Sequence, residues 1–377
     1  MKSSIKSLAK NSETLLKAGL VPLVRSSPGV GKTSVIRQMA EALNLKVIDI
    51  RLSQCDTTDL NGFPSIDKVT GKASYLPMDT FPLEGDSLPV KTWKTVKTVD
   101  PKDPKKITTS TVADTHYAGW MIIYDELTSA APAIQAAAYK ILLEREVGQR
   151  KLHRNVWQIG LGNKETDNAV VARMSTALQS RLIHLEIESD PEEWLKWAML
   201  HSFDPRIIAY ISHKPDSLNK FSPTHNDHTF PCERTWEFVN KILTQLKKDH
   251  VASGATTSFQ VTYAHQVMLA GAIGEGASTE FIAFCEIYGQ LLTIPQIVAN
   301  PIGVQMPDEP SAKYAIAALI GAEIDINNCS PLMKFVSRMD IEFQILCVRM
   351  FYATKTDLRA NPAVAQWVHN NVRYLKD

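Results

Sequence analysis

The segment Gly29-Val-Gly-Lys-Thr33 constrains this chain more than any other stretch of it. It follows a short apolar run, Val21-Pro-Leu-Val24. It precedes Ser34 to Leu43, where Val35, Met39 and Leu43 fall on one helical stripe. A glycine-rich turn between a strand and a helix lets successive backbone N–H groups wrap a phosphate at the helix N-terminus. On that reading Ser27, Pro28, Gly29, Val30, Gly31, Lys32, Thr33 and Ser34 form the cradle. Lys32 would reach the β- and γ-phosphates, and the Thr33 hydroxyl would ligate Mg²⁺. The full pattern has glycine at its first position, where this chain has Ser26. Serine can take that turn where φ is negative. An ordinary Gly-Pro loop ahead of a helix is the plainer alternative, but it does not account for strand, loop and helix together.

A second element, Met121-Ile-Ile-Tyr-Asp125-Glu126, is an apolar strand ending in two carboxylates. Alone it reads as a solvated strand end. Downstream of a phosphate loop it reads as a Walker B element, in which Asp125 holds Mg²⁺ through its water shell and Glu126 orients and polarises the attacking water. Gly160-Leu-Gly-Asn163 is a further apolar strand ending in an amide. Asn163 is either a turn asparagine or an amide aimed at the γ-phosphate or the water. Arg181, in Ser175-Thr-Ala-Leu-Gln-Ser-Arg181-Leu, is either a surface residue or a guanidinium that crosses a subunit contact to meet transition-state charge.

Lys46 to Ile50, Trp120 to Tyr124, Trp157 to Leu161 and Ile183 to Ile187 are strand candidates. Ile5 to Ala18 and Pro132 to Arg145 read as helices. The alternation predicts an α/β fold with a mostly parallel sheet over 1–189, interrupted by an insert at about 54–115. From Asp190 the character becomes helical, with helices expected at Pro191 to His201, Pro205 to His213, Arg234 to Lys247 and Phe259 to Ala272. These form a second domain, 190–294. Pro295, Pro301, Pro307 and Pro310 mark an extended linker opening a helical extension, 295–377.

Lysine and arginine total 41 against 40 aspartates and glutamates, a formal net charge of +1, which excludes a globally basic nucleic-acid coat and a polyacidic tail protein. The five cysteines are scattered, with no Cys-x-x-Cys, as for free thiols in a reducing cytoplasm. No continuous apolar run at the N-terminus suits a signal peptide, and no uninterrupted apolar run is long enough to predict a membrane helix. The chain is expected to be cytoplasmic. The insert contains VKTWKTVKTVDPKDPKKITTST at 90–111, with six lysines (91, 94, 97, 102, 105, 106) among threonines. It reads as a solvated loop or hairpin, or as a contact surface for an acidic or nucleic-acid partner with Trp93 available for stacking. His225-Asn-Asp-His228 with Cys232 could bind zinc, but no fourth ligand follows at a standard spacing, which favours a polar loop.

The order GVGKT, IIYDE, GLGN, ALQSRLIHLEI and then Arg234-Thr-Trp resembles AAA+ P-loop ATPases of the MoxR-like, dynein-related branch, closest to bacterial and phage forms. The resemblance covers about 20–247. Ala264 to Glu286 looks like that group's lid, and Asp59-Leu-Asn-Gly-Phe-Pro64 like the start of its insert. The last 70 or so residues resemble nothing nameable. The resemblance implies that Asn163 is sensor 1, Arg181 a finger acting in trans, Arg234 the lid sensor 2 and Arg173 a further arginine upstream of the finger. It also implies ATP and Mg²⁺ as ligands, and a partner of the von Willebrand factor A type. Cys232-Glu233-Arg234 departs from the Ser-Pro-Arg common in relatives. A trans arginine requires a heterologous interface, which closes into a homo-oligomeric ring, hexameric in this family. The expected function is a ring ATPase that remodels a partner protein. The alternatives are a nucleic-acid motor or loader and a nucleotide-gated scaffold with little turnover.

Overall fold

The structure is a computed structural model that describes residues 2–3, 5–66, 68–69, 71–100, 103–167, 174, 176–225 and 227–375. The chain divides into two compact units, Met1–Glu188 and Ser189–Asp377.

The first unit runs β1 (Lys2–Ser3), α1 (Ile5–Lys17), β2 (Pro22–Ser26), α2 (Lys32–Ala42), β3 (Leu45–Arg51), α3 (Thr57–Asn61), β4 (Phe63–Ile66), β5 (Ala73–Leu76), β6 (Val90–Asp100) and β7 (Asp103–His116). It continues with β8 (Gly119–Asp125), α4 (Pro132–Glu144), β9 (Glu146–Val147), β10 (Arg150–Lys151), β11 (Val156–Asn163), α5 (Thr176–Gln179) and β12 (Ile183–Ile187). One sheet has the order β1-β12-β2-β11-β8-β3, with every neighbouring pair parallel. The strands read as continuous apolar runs because both faces are covered. On β8, Met121 and Ile123 pack with Leu8, Val24, Ile36 and Met39. Ile122 and Tyr124 point the other way, into a core with Leu23, Leu127, Ile134 and Ala138. The fold is of the expected α/β class, a parallel sheet flanked by helices.

This order has a consequence for chemistry. β11 lies between β2 and β8, so the turn after β2, the carboxylates ending β8 and the amide ending β11 emerge side by side at the same edge of the sheet. The insert is folded: β4 pairs with β5, and β6 with β7, each antiparallel. The segment 90–111, for which the sequence leaves loop and hairpin open, lies in the β6–β7 ribbon.

The second unit runs α6 (Pro191–Leu200), α7 (Pro205–His213), α8 (Glu233–Ala252), α9 (Gln266–Ile273), α10 (Glu275–Gly289), α11 (Ile294–Ala299), α12 (Pro310–Glu323), α13 (Cys329–Val336), α14 (Ile341–Tyr352) and α15 (Pro362–Asn371). A single apolar core extends from Trp194 to Trp367, so the segments 190–294 and 295–377 share it. α12 packs on both α7 and α14; its Ala312, Ala315, Ala317 and Ala318 are buried, and small side chains permit that close approach. The helix expected at Phe259 to Ala272 is shorter than its pattern. A 3₁₀ turn at Tyr263–His265 precedes α9, with Thr262 and His265 forming a reciprocal cap. The proline-marked linker contains α11, since Pro295 falls in the first turn, where its missing N–H costs nothing. One helical stretch, Glu275–Ala299, is long and apolar enough to cross a membrane by length and composition, where the sequence reading expected none. Its Phe281, Ile282, Phe284 and Cys285 belong to the core, and 290–293 separate α10 from α11.

Candidate active site

The loop after β2 turns through two left-handed glycines, Gly29 at φ 82° and Gly31 at φ 89°. Residues with a Cβ rarely occupy that region, so these positions require glycine. Gly31 is also the N-cap of α2 and supplies no side-chain cap. The first-turn amides of Lys32, Thr33 and Ser34 therefore keep their hydrogen-bonding capacity for an anion. Ser26 is fully buried, and the departure from glycine there gains a local role. Its hydroxyl donates to the Ser27 carbonyl at 2.8 Å and accepts from Lys32 Nζ at 2.9 Å. Lys32 Nζ also donates to the Ser26 carbonyl at 3.1 Å and to Asn163 Oδ1 at 3.2 Å. The ammonium thus lies at the meeting point of the loop and β11.

Asp125 ends β8. Its Oδ2 accepts from Thr33 Oγ1 at 3.2 Å, and its Oδ1 accepts from the Glu126 amide at 2.9 Å. The first contact sets the Thr33 hydroxyl and the Asp125 carboxylate side by side, an all-oxygen pair that suits one hard cation, with Asp125 acting through its water shell. The donor set fits Mg²⁺. Glu126 has φ 58° and ψ 30°, a left-handed conformation that costs a non-glycine residue about 1 to 3 kcal/mol and persists where the surroundings impose it. The turn directs its carboxylate to the loop after β3. There it accepts a short hydrogen bond from the Ser53 hydroxyl and lies 4.0 Å from Arg51 Nε.

Asn163 is fixed through its backbone. Its amide donates to Thr128 Oγ1 at 3.0 Å, and that hydroxyl donates to the Asn163 carbonyl at 3.4 Å. The close approach needs Gly162, because a Cβ there would lie 2.5 Å from Thr128 Cγ2. Gly162→Ala is expected to destabilise the protein by about 1 to 3 kcal/mol and to lower Tm by several degrees. Thermal unfolding checks this, and an unchanged Tm would show that Thr128 yields freely.

Lys32, Thr33, Asp125, Glu126 and Asn163 are thus gathered at one sheet edge. The sequence reading missed four of their neighbours: Arg51, Ser53, Thr128 and Asp167. Asp167 is 8% exposed; its Oδ1 accepts from Ser27 Oγ at 3.4 Å, and its Oδ2 is buried with no hydrogen-bond partner among the described residues. None of the four belongs to a local motif. Arg51 and Ser53 could have been found by asking which polar residues end the strand beside β8.

Arg181 lies elsewhere. It precedes β12, is exposed, and places its guanidinium 5.6 Å from the centre of the Tyr139 ring on α4. Ile183 is in register with Pro22, the first residue of β2, so Arg181 lies at the sheet end opposite its own phosphate loop. Arg234 belongs to the second unit and is exposed in the first turn of α8. Arg173 lies outside the described residues. The zinc alternative finds no support in the packing. Cys232 Sγ accepts from Thr235 Oγ1, His225 bonds the Ser222 carbonyl and packs on Phe221 and Phe230, and no metal-binding group of three forms among the described residues.

No protein-family model and no curated protein matches this chain. Among solved structures it is similar to an ATPase candidate from Cytophaga hutchinsonii, at 11% identity and a TM-score of 0.33, with 100% of this chain and 91% of that one covered. It is also similar to a point mutant of Thermotoga maritima RuvB, at 14% identity and a TM-score of 0.36, with 89% and 86% covered. The strand order and the site geometry, not these likenesses, carry the functional reading.

Proposed function

We propose that this chain is a ring-forming AAA+ ATPase that couples hydrolysis of Mg-ATP to remodelling of a bound partner. The observation that carries the reading is the convergence of Lys32 and Asn163 at 3.2 Å and of Thr33 and Asp125 at 3.2 Å, beside a helix start that has no side-chain cap. Lys32 and the loop amides would bind the phosphates. Thr33 and Asp125 would hold Mg²⁺, which when bound neutralises phosphate charge. Glu126 would accept the proton of the attacking water, and Asn163 would orient that water or the γ-phosphate. Arg181 would serve a neighbouring subunit's site, Arg173 would be a further arginine upstream of that finger, and Arg234 would act from the lid. On the MoxR-like resemblance, the partner is a protein of the von Willebrand factor A type.

Lys32→Ala tests the site. The ammonium is the one P-loop cation, and its loss is expected to abolish nucleotide binding and hydrolysis together. Titration with a fluorescent ATP analogue reads this directly; unchanged affinity would remove the assignment.

A further inference from the structure

We propose that Thr128 is a positioning residue for hydrolysis that acts through Asn163. Its hydroxyl holds the end of β11 against the turn that carries Glu126, and so sets where the Asn163 side-chain amide sits. The inference rests on the ATPase reading and deepens it, adding a residue that belongs to none of the sequence motifs.

The need for such a tie arises from where the two strands stop. β11 stays in register with β2 as far as Asn163↔Ser26, but its pairing with β8 ends at Gly160↔Tyr124. β8 itself ends at Asp125, and the chain turns through Glu126 into a 3₁₀ turn at Leu127–Ser129. In an extended strand the N–H and C=O of one residue point to the same edge. Asn163 presents both to the turn after β8, and the Thr128 hydroxyl meets both. It accepts from the Asn163 amide at 3.0 Å and donates to the Asn163 carbonyl at 3.4 Å. One hydroxyl thereby extends the sheet past the point where β8 has left it.

The fit is steric as well as polar. Thr128 is 2% exposed, so both bonds are shielded from water. Its Cγ2 and Oγ1 lie over Gly162, where an added Cβ would come within 2.5 and 2.6 Å of them. Two heavy atoms on Cβ restrict χ1, so with the methyl against Gly162 the hydroxyl is directed at Asn163. The other end of the tie is fixed as well. The Ser129 amide donates to the Glu126 carbonyl at 2.9 Å and closes the turn, and the Glu126 carboxylate is bonded to Ser53.

The consequence for chemistry follows from the Asn163 side chain. Its Oδ1 accepts from Lys32 Nζ at 3.2 Å. On the ATPase reading the same amide orients the attacking water or the γ-phosphate. Its reach is set by its backbone, and that backbone is held by Thr128. A misplacement of about 1 Å can cost about 10²-fold in rate. Affinity has other sources, since phosphate binding is assigned to Lys32 and the amides at the start of α2. Loss of the Thr128 hydroxyl should therefore act on turnover and spare binding.

The test uses the full chain with Thr128→Val, which keeps the shape and deletes the hydroxyl, and Thr128→Ser, which keeps the hydroxyl. Thr128→Val should slow single-turnover hydrolysis by about 10- to 100-fold, leave the affinity for a fluorescent ATP analogue unchanged, and speed hydrogen exchange at the Asn163 amide. Thr128→Ser should retain most of the rate and of the protection. Asn163→Ala should be slow by itself, and adding Thr128→Val to it should cost little more, since residues that act as one unit are not additive. A purely structural role predicts instead that the two losses multiply. Full turnover in Thr128→Val or in Asn163→Ala, multiplying losses, or an unchanged exchange rate at Asn163 would each overturn the proposal. Failure of the ATPase reading looks different. The unsubstituted chain would then neither bind nor hydrolyse ATP, and the role in hydrolysis would fall with it, while exchange at Asn163 would still respond to Thr128→Val.

Discussion

Glu126→Gln is expected to bind Mg-ATP with near-normal affinity and to lose hydrolysis by a factor on the order of 10² to 10⁴. The two halves of that expectation come from different parts of the site. Affinity is assigned to Lys32, the amides at the start of α2, and the Thr33–Asp125 oxygen pair, none of which the substitution touches. Turnover is assigned to the Glu126 carboxylate as the proton acceptor, and an amide of the same shape cannot take that proton. The left-handed backbone at 126 is retained, because the change is confined to the end of the side chain. The amide oxygen can still accept from Ser53, so the loop after β3 stays tethered. Equilibrium nucleotide binding and single-turnover phosphate release separate the two effects. A near-wild-type rate with intact binding would show that another group activates the water. The same variant is the reagent of choice for co-purifying a partner, since it should hold the ATP-bound state.

The hydrogen bond to Ser53 also shows where sequence reading ends. β2, β8 and β11 were legible because strands covered on both faces read as apolar runs, as in Met121-Ile-Ile-Tyr, and β12 because Ile183, Leu185 and Ile187 alternate with polar residues. The phosphate loop was legible because its two left-handed glycines are a backbone requirement written in composition. Ser53, Thr128 and Asp167 were not, because their relevance arises only from the strand order. Ser53 matters because β3 lies beside β8, and Thr128 because the turn after β8 crosses the end of β11. The β6–β7 ribbon was half legible: lysine and threonine recur every third residue from Lys91 to Thr98, a period that fixes neither strand nor helix. β1 was invisible, since two residues carry no period. Arg234 was located by resemblance alone. The structure adds that it is exposed at the start of α8, where Cys232 as N-cap and the buried Glu233 anchor the helix.

Arg181→Ala should bind ATP normally and lose hydrolysis by a factor on the order of 10³. Mixing it with Lys32→Ala should restore part of the activity. The reasoning begins with the sheet. β12 is five residues long and parallel to β2, and Arg181 precedes its first residue while the phosphate loop follows the last residue of β2. The two are therefore separated by the length of a strand, about 16 Å, with the loop and the guanidinium at opposite ends. An arginine so placed would lie too far from its own subunit's phosphate loop to reach a phosphate there. It is exposed, and its contact with the Tyr139 ring holds the guanidinium on the outer surface of α4. Guanidinium stays ionised at any physiological pH and its planar fork suits phosphate oxygens, so presentation to a second copy of the chain would meet charge that develops there. A heterologous contact of this kind repeats from copy to copy and closes into a ring if the rotation permits. In a mixture, an Arg181→Ala subunit has an intact phosphate loop and a Lys32→Ala subunit an intact finger, so one of the two contacts between unlike subunits is complete. Activity should therefore rise from near zero for either variant alone to a maximum near equal proportions. With subunit exchange confirmed by labelled chains, no recovery at any ratio would exclude a trans role for Arg181.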